Sequence, residues 1–379
     1  MKIIALAFAL AWLLAAQNPF LESEFIFQKE KLHNHSSMIV ELPSGELFTV
    51  WYRGSGERTA DDVAIMYSRR QRGRPWTPLR VLADTPGFPD CNPTVFVDKA
   101  KQLWLVWPTI VANQWETALL RYRVSSDYKG APVWNVFSDD ILFVPRNFEK
   151  KSLEEIAAMK LPARSTERLE ARAKDKYFSR MGWMPRAHPV QLKSGRILIP
   201  LYSDGYSYSL MAITDDGGKT WSSSEPLVGA GSIQPSIAQK RDGTLTAYKR
   251  DIGPPPKRLH ISESTDSGIT WSRVRDTEIP NPGSGAEVIT LSNGDWALVY
   301  NDTEKGRNSL AVSLSEDEGK TWKYTRHLEK QPEGSFHYPS LIEARDGTLH
   351  STYSYFDKAG KTIKHAHFNV HWIKQGDPK

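Results

Sequence analysis

The chain has 379 residues, 40% of them apolar and 25% charged, an ordinary globular composition with enough material for a large core. Lys and Arg outnumber Asp and Glu 49 to 44, and the excess is scattered with no basic run among aromatics, which argues against nucleic acid and suits an acidic small partner. A single cysteine, Cys91, excludes an intramolecular disulfide, so packing alone must hold the fold.

Residues 1–16 read as a secretory signal. Lys2 is the charged start, Ile3 to Leu14 the apolar core, and Leu14-Ala15-Ala16 the small-residue cleavage site. The apolar run is short for a bilayer span. The expectation is a secreted or periplasmic monomer with no membrane span after cleavage.

Beyond residue 16 a hairpin unit recurs. It is an apolar strand, a turn often closed by Gly, and a second apolar strand ending in aromatics or charge. Copies begin at His35, Asn92, His188, Gln234, Gly285 and Tyr338. β-Branched and aromatic residues with turn residues between them predict paired strands. One segment, 146–177, breaks the rhythm. Its helix formers and helically spaced charge pairs predict a helical insertion between the second and third units, as a solvated decoration or as a lid.

A second repeat is a tight turn. Thr214 to Trp221, Ser264 to Trp271 and Ser315 to Trp322 share a hydroxyl, an Asp two residues on, a Gly, a Thr and a final Trp. The hydroxyl and carboxylate bond their own backbone, and the Gly takes positive φ. Degenerate versions occupy 68–76 and 126–134. A period near 50 residues with four short strands per unit is the signature of a β-propeller. The predicted fold is all-β, a six-bladed propeller over residues 17–379. Its last strand, Lys364 to Trp372, should pair with an N-terminal strand around Phe25–Lys31 and leave no open edge.

The three tight turns resemble the Asp-boxes, or BNR repeats, of the sialidase superfamily, and the resemblance covers nearly the whole chain after residue 16. It implies that Asp216, Asp266 and Asp317 are structural and lie on the rim away from the funnel. Sialidases hold a substrate carboxylate with three arginines. They use a tyrosine nucleophile assisted by a glutamate, and a loop aspartate as acid/base. The resemblance places Arg250 and Arg307 as the second and third arginines, Tyr338 as the tyrosine, and Asp61 or Asp62 as the acid/base. Two positions depart. His35 stands where the first arginine falls, and Gln234 where the glutamate falls. The chain is therefore similar to sialidase-like members that lack the full catalytic set.

The residue chemistry adds further candidates. Two arginines from adjacent blades suit bidentate pairing with one carboxylate. His35 and His188 begin inner strands and are candidates to carry protons near neutral pH. Arg186 beside His188, and Asn92, are expected along the funnel. His337 beside Tyr338 would ease its ionisation, and Glu287 is the candidate to replace the missing glutamate. His365 and His367 make a weak ligand pair, so neither metal nor other cofactor is expected. Three functions stay open. One is an exo-acting glycoside hydrolase on glycans with an acidic sugar. The others are a polysaccharide lyase on uronic-acid glycans and a glycan-binding propeller. In each the partner is an acidic oligosaccharide or glycoconjugate.

Overall fold

The computed structural model describes residues 18–135 and 139–378. The predicted signal segment lies outside the described residues. Six antiparallel sheets follow one another along the chain, at 33–83, 94–140, 184–223, 232–280, 287–330 and 335–368. These are blades one to six of a six-bladed β-propeller. Each runs from an inner strand at the axis to an outer strand at the rim.

Ring closure uses the N-terminal strand Leu21–Phe25, which pairs with Gly360–Phe368 as the outer strand of blade six. The predicted partner, Phe25–Lys31, is displaced for a packing reason. Ile26 is buried against blade one, and the Phe27 ring stacks on Trp51 at 5.4 Å. Past Ile26 N, which donates to Ile363 O at 3.0 Å, Glu30 meets the sheet again as an isolated bridge to Lys361. The predicted last strand is also shorter. It stops at Phe368, because the Asn369 side chain accepts from Trp372 N at 2.9 Å and caps a helical turn at Val370–Lys374.

Inner strands of neighbouring blades are joined by side chains bonding to backbone. Ile39 N donates to Ser340 Oγ (3.1 Å), Val288 N to Ser236 Oγ (3.0 Å), and Thr94 Oγ1 to Ala187 O (3.2 Å). The tight turns staple blades at the far rim. In blade five Asp317 accepts from Ser315 Oγ, Thr321 N and Thr321 Oγ1 at 2.7–2.8 Å. The Thr321 hydrogen bonds, led by that of its hydroxyl, hold the Asp317 carboxyl down at about 2. Gly319, at φ 81°, lies against Trp296 of its own blade and Tyr248 of blade four, leaving no room for a side chain. Gly218 packs in the same way on Trp104 and Tyr122 of blade two.

The 146–177 insertion forms three helices rather than one or two, α1 (Phe148–Ala158), α2 (Ala163–Lys174) and α3 (Lys176–Arg180). It packs on blade three. Arg146 bonds Ser223 at the outer strand, and Phe148 meets Trp183 and Tyr206.

His365 and His367 belong to an imidazole stack in blade six, with His350 between them in contact (ring centroids 5.2 and 4.2 Å). No group of three or more His, Cys, Asp or Glu suited to a metal occurs among the described residues. Burial lowers all three histidines, His350 to about 2. The groups facing them are Arg70, Arg72, Glu22, Glu24 and Asp346. A folded pKa below the unfolded value of about 6.5 gives stability that is full above pH 6.5 and is lost as pH falls. His350 alone should cost about 2 kcal/mol between pH 7 and pH 5. Urea unfolding at the two pH values checks this, and His350→Asn should flatten the difference.

Candidate active site

The inner strands carry one repeated irregularity. Six residues before each inner hairpin turn, which begins at Leu42, Asp98, Leu192, Lys240, Leu291 or Ala344, stand Ser36, Asn92, Arg186, Gln234, Gly285 and Tyr338. Four of them have left-handed backbone: Ser36 (φ 57°), Asn92 (38°), Gln234 (53°) and Tyr338 (48°). Strand register shifts there in blades one, four and six. Such a bulge costs about 1–3 kcal/mol for a non-glycine residue and re-aims its side chain. Repetition around the ring turns these side chains onto the propeller axis.

Tyr338 is the centre of that ring. Its hydroxyl oxygen accepts from Arg250 Nη1 at 2.8 Å and from Gln234 Nε2 at 3.0 Å. The His35 ring stacks on it at 4.4 Å. Three guanidinium carbons, of Arg186, Arg250 and Arg307, lie 5.5, 5.9 and 5.8 Å from the ring centroid. That cationic surround favours electron density on the phenol.

The three arginines differ in freedom. Arg250 Nε and Nη2 make no hydrogen bond among the described residues. Arg307 is half-buried and anchored, with Nη1 2.7 Å from His337 Nδ1 and Nη2 on Gly283 O at 2.8 Å. Arg186 is 1% exposed and crosses the axis, donating to Ala286 O and Pro339 O at 2.8 Å each. It braces the floor beneath the phenol, which corrects its expected place among substrate-binding residues. Gly285 makes this crossing feasible, since a Cβ there would lie 2.7 Å from Arg186 Nε and 2.9 Å from Gln234 Oε1.

Other expectations change as well. His35 is 5% exposed with Nδ1 2.8 Å from Ser354 Oγ. Burial, then the positive field of His337, His33, Arg307 and Arg186, holds it well below its ordinary value. It is a neutral stacking face, neither a charge replacing the first arginine nor a proton donor at neutral pH. His188 lies one layer beneath the ring, with Nδ1 2.9 Å from Glu287 Oε1 and Nε2 2.8 Å from Ile39 O. Glu287 also accepts from Leu341 N at 2.7 Å. Burial raises the Glu287 carboxyl, but His188, Arg186 and the hydrogen bonds outweigh it and hold the group down. The pair clips the inner edges of four blades together, so neither residue serves the phenol. His337 accepts from Arg307 and is held well below its ordinary value by burial and by Arg307. Asn92 is 3% exposed and donates to Tyr202 Oη at 3.1 Å.

Asp61 and Asp62 are both exposed and both engaged on their loop. Asp61 accepts from Asn113 at 2.9 Å, and Asp62 caps Ser55 at 2.8–3.1 Å. The carboxylates in the field of the arginines are two others, which neither spacing nor resemblance picked out. Glu57 shares the loop of Asp61. Its Oε1 is 2.9 Å from both the Tyr52 hydroxyl and His33 Nε2, and its field acts on Arg307. Asp204 follows Tyr202 on blade three, and its strongest charged neighbour is Arg250.

A cavity of about 1170 Å³ opens at the other end of the molecule, beside Arg69, Arg345 and the imidazole stack. Its arginines are already paired, Arg69 with Glu46 and Arg345 with Glu41, and no bulged ring residue reaches it. The site is therefore assigned to the bulged ring.

Residues 165–351 match the family of BNR repeat-like domains. A leech anhydrosialidase (Macrobdella decora) is 26% identical over 192 residues, 45% of this chain and 25% of that protein. The chain thus spans about a quarter of the length of the curated relatives it matches. Among solved structures, a leech intramolecular trans-sialidase superimposes with a TM-score of 0.71 at 15% identity, over 93% of this chain and 71% of that one. An intramolecular trans-sialidase from Ruminococcus gnavus, in complex with oseltamivir carboxylate, gives 0.69 at 15% identity, over 94% and 98%. At such identity these superpositions establish the propeller fold alone. Repeat domain, relatives and fold together fit a member of the sialidase superfamily.

Proposed function

We propose that this chain, a sialidase-superfamily propeller, is a secreted glycoside hydrolase that removes a carboxylate-bearing sugar from the end of a glycan. The observation that carries the reading is the convergence of Arg250 and Arg307, from blades four and five, on the phenol of Tyr338. Arg250 Nη2 makes no hydrogen bond among the described residues, and guanidinium–carboxylate bonds are short and directional. The R. gnavus neighbour is held with a ligand named as a carboxylate, which supports that partner class. Tyr338, with cations around it and no adjacent base, is suited to stabilise positive charge developing on the sugar.

One observation favours a second reading. The phenol oxygen is contacted only by donors, Arg250 and Gln234. Such a shell leaves the phenol oxygen as an acceptor, the arrangement that proton abstraction beside a uronate carboxylate uses in a lyase. Incubation with sialosides and uronic-acid glycans separates the readings. Release of a saturated acidic sugar supports the hydrolase. An unsaturated product absorbing in the ultraviolet supports the lyase. Binding without turnover would leave a glycan-binding propeller.

Gln234→Glu is informative here. Gln234 is 1% exposed and donates to the phenol oxygen. Glutamate removes that donor, and the carboxylate clamp still lacks its first arginine because His35 is neutral. Turnover should fall about tenfold, the size of one hydrogen bond to a charged or activated group. No gain in sialoside hydrolysis should appear. A gain would mean that a standard sialidase mechanism is present and merely impaired.

A further inference from the structure

We propose that Asp204 is the proton donor to the leaving oxygen in this pocket, and that the helical insertion is the brace that holds it there. The inference rests on reading the pocket as a glycoside-cleaving site.

Strand Ile197–Ser203 sends the Tyr202 hydroxyl to Asn92 on the funnel ring. Asp204 follows that strand directly and opens the turn at 204–207, closed by Ser207 N donating to Ser203 O at 2.8 Å. No hydrogen bond from the described residues reaches its carboxylate, which leaves it available to a ligand. Arg250 acts on it most strongly among charged groups, followed by Glu116, Arg58 and Glu57.

The loop that carries Asp204 is gripped by all three helices. Arg172 of α2 donates to Gly205 O, and the Tyr206 hydroxyl donates to Arg172 O. Phe178 of α3 lies 4.4 Å from the Arg172 guanidinium and 5.9 Å from the Tyr206 ring. Phe148 of α1 meets Tyr206 at 5.0 Å. A Cβ on Gly205 would lie 2.9 Å from Glu116 and 3.3 Å from Phe178, so the loop is packed to its backbone. Ser207 takes φ 63° to return the chain into the next strand. A group that must meet a substrate atom within a fraction of an ångström needs such support.

The two carboxylates near the arginines sit in opposite environments. Burial raises Asp204, and Arg250 only partly offsets it. Burial acts on Glu57 too, but His33, Tyr52 and Arg58 outweigh it and hold that group down. Environments that push two titrating groups apart separate the acid from the ionised partner. The step then balances as follows. The Asp204 carboxyl gives its proton to the glycosidic oxygen, and the C–O bond breaks with its electron pair on that oxygen. Positive charge on the sugar faces Tyr338. Water adds to the anomeric carbon and returns a proton to the Asp204 carboxylate.

The test compares alkyl and nitrophenyl glycosides of one acidic sugar. Asp204→Asn should lose about 100- to 10,000-fold on the alkyl glycoside, whose leaving group needs a proton. It should lose far less on the nitrophenyl glycoside, and the alkaline fall of the wild-type pH profile should vanish. Asp204→Glu should recover part of the loss. Arg172→Ala, which cuts the brace and keeps the carboxyl, should show the same leaving-group dependence in milder form, and an Arg172→Ala enzyme indistinguishable from wild type removes the insertion from the proposal. Equal losses on both glycosides, or leaving-group dependence that appears in Asp61→Asn or Asp62→Asn instead, would overturn the assignment while the hydrolase reading stands. A wild type that cleaves neither glycoside overturns the reading of the pocket and this inference with it.

Discussion

Tyr338→Phe should lower kcat about 100- to 1,000-fold with little change in KM, the loss seen when one preorganised polar group aimed at developing charge is removed. The substitution keeps the ring, so the stack with His35 and the contacts of the three arginines persist. It removes only the oxygen that Arg250 and Gln234 address. Their donors would then point at an apolar edge, and that of Gln234, 1% exposed, gains nothing from water in exchange. Steady-state kinetics on the best acidic glycoside, with a melting curve to confirm folding, is the measurement. A matching rise in KM with kcat untouched would make Tyr338 a binding platform and remove it from the chemistry.

Arg307→Ala should weaken binding of an acidic substrate by about 2–5 kcal/mol, the cost of truncating one partner of a desolvated charge pair. Each 1.4 kcal/mol is about tenfold in affinity, so the change is easily read by calorimetry. Two features make the effect specific. Arg307 is fixed in advance by Gly283 O and His337, so little ordering is lost on binding. Its alkyl stem is not part of the main apolar clusters, so the fold should tolerate the change. The neutral sugar analogue, with the carboxylate reduced to an alcohol, supplies the control. Wild type and variant should bind it equally weakly. Equal loss on the acidic and neutral sugars would mean that Arg307 shapes the pocket and pairs with no anion.

Much of the architecture was legible because blades three, four and five rebuild the same turn from the same chemistry. Ser315, Asp317, Gly319 and Thr321 occupy positions that Thr214, Asp216, Gly218 and Thr220 occupy a blade and more earlier, and hydrogen bonds of the same kind close both turns. The candidate site was legible only where it rides on that repeat. Asn92, Gln234, Gly285 and Tyr338 begin hairpin units and fall on the ring. In blade three the unit was aligned on His188, whereas the ring position is Arg186. The inner strand there is broken between Met184–Pro185 and Val190–Gln191, and an offset of two residues drops a side chain into the layer beneath. Glu57 and Asp204 were not singled out because loops have no period. Their assignment needs the fold of neighbouring blades, and for Asp204 three helices whose sequence reads as an ordinary charged surface.

Closure of the ring by Leu21–Phe25 ties the pocket to the chain's history. His35 and Tyr338 stack at 4.4 Å yet stand near opposite ends of the molecule. Blades one to five are built from consecutive segments, and each can dock on the one before it. Blade six is completed by a strand that precedes blade one in the chain. Long-range pairing of this kind is slow, because the entropy of drawing distant segments together is lost before any contact repays it. The contact of His35 with Tyr338 is itself a joint between the first and last blades, so the pocket is complete only when the ring is shut. Any ligand that binds only the shut ring would act as a latch, adding RT ln(1 + [L]/Kd) to the stability of that joint.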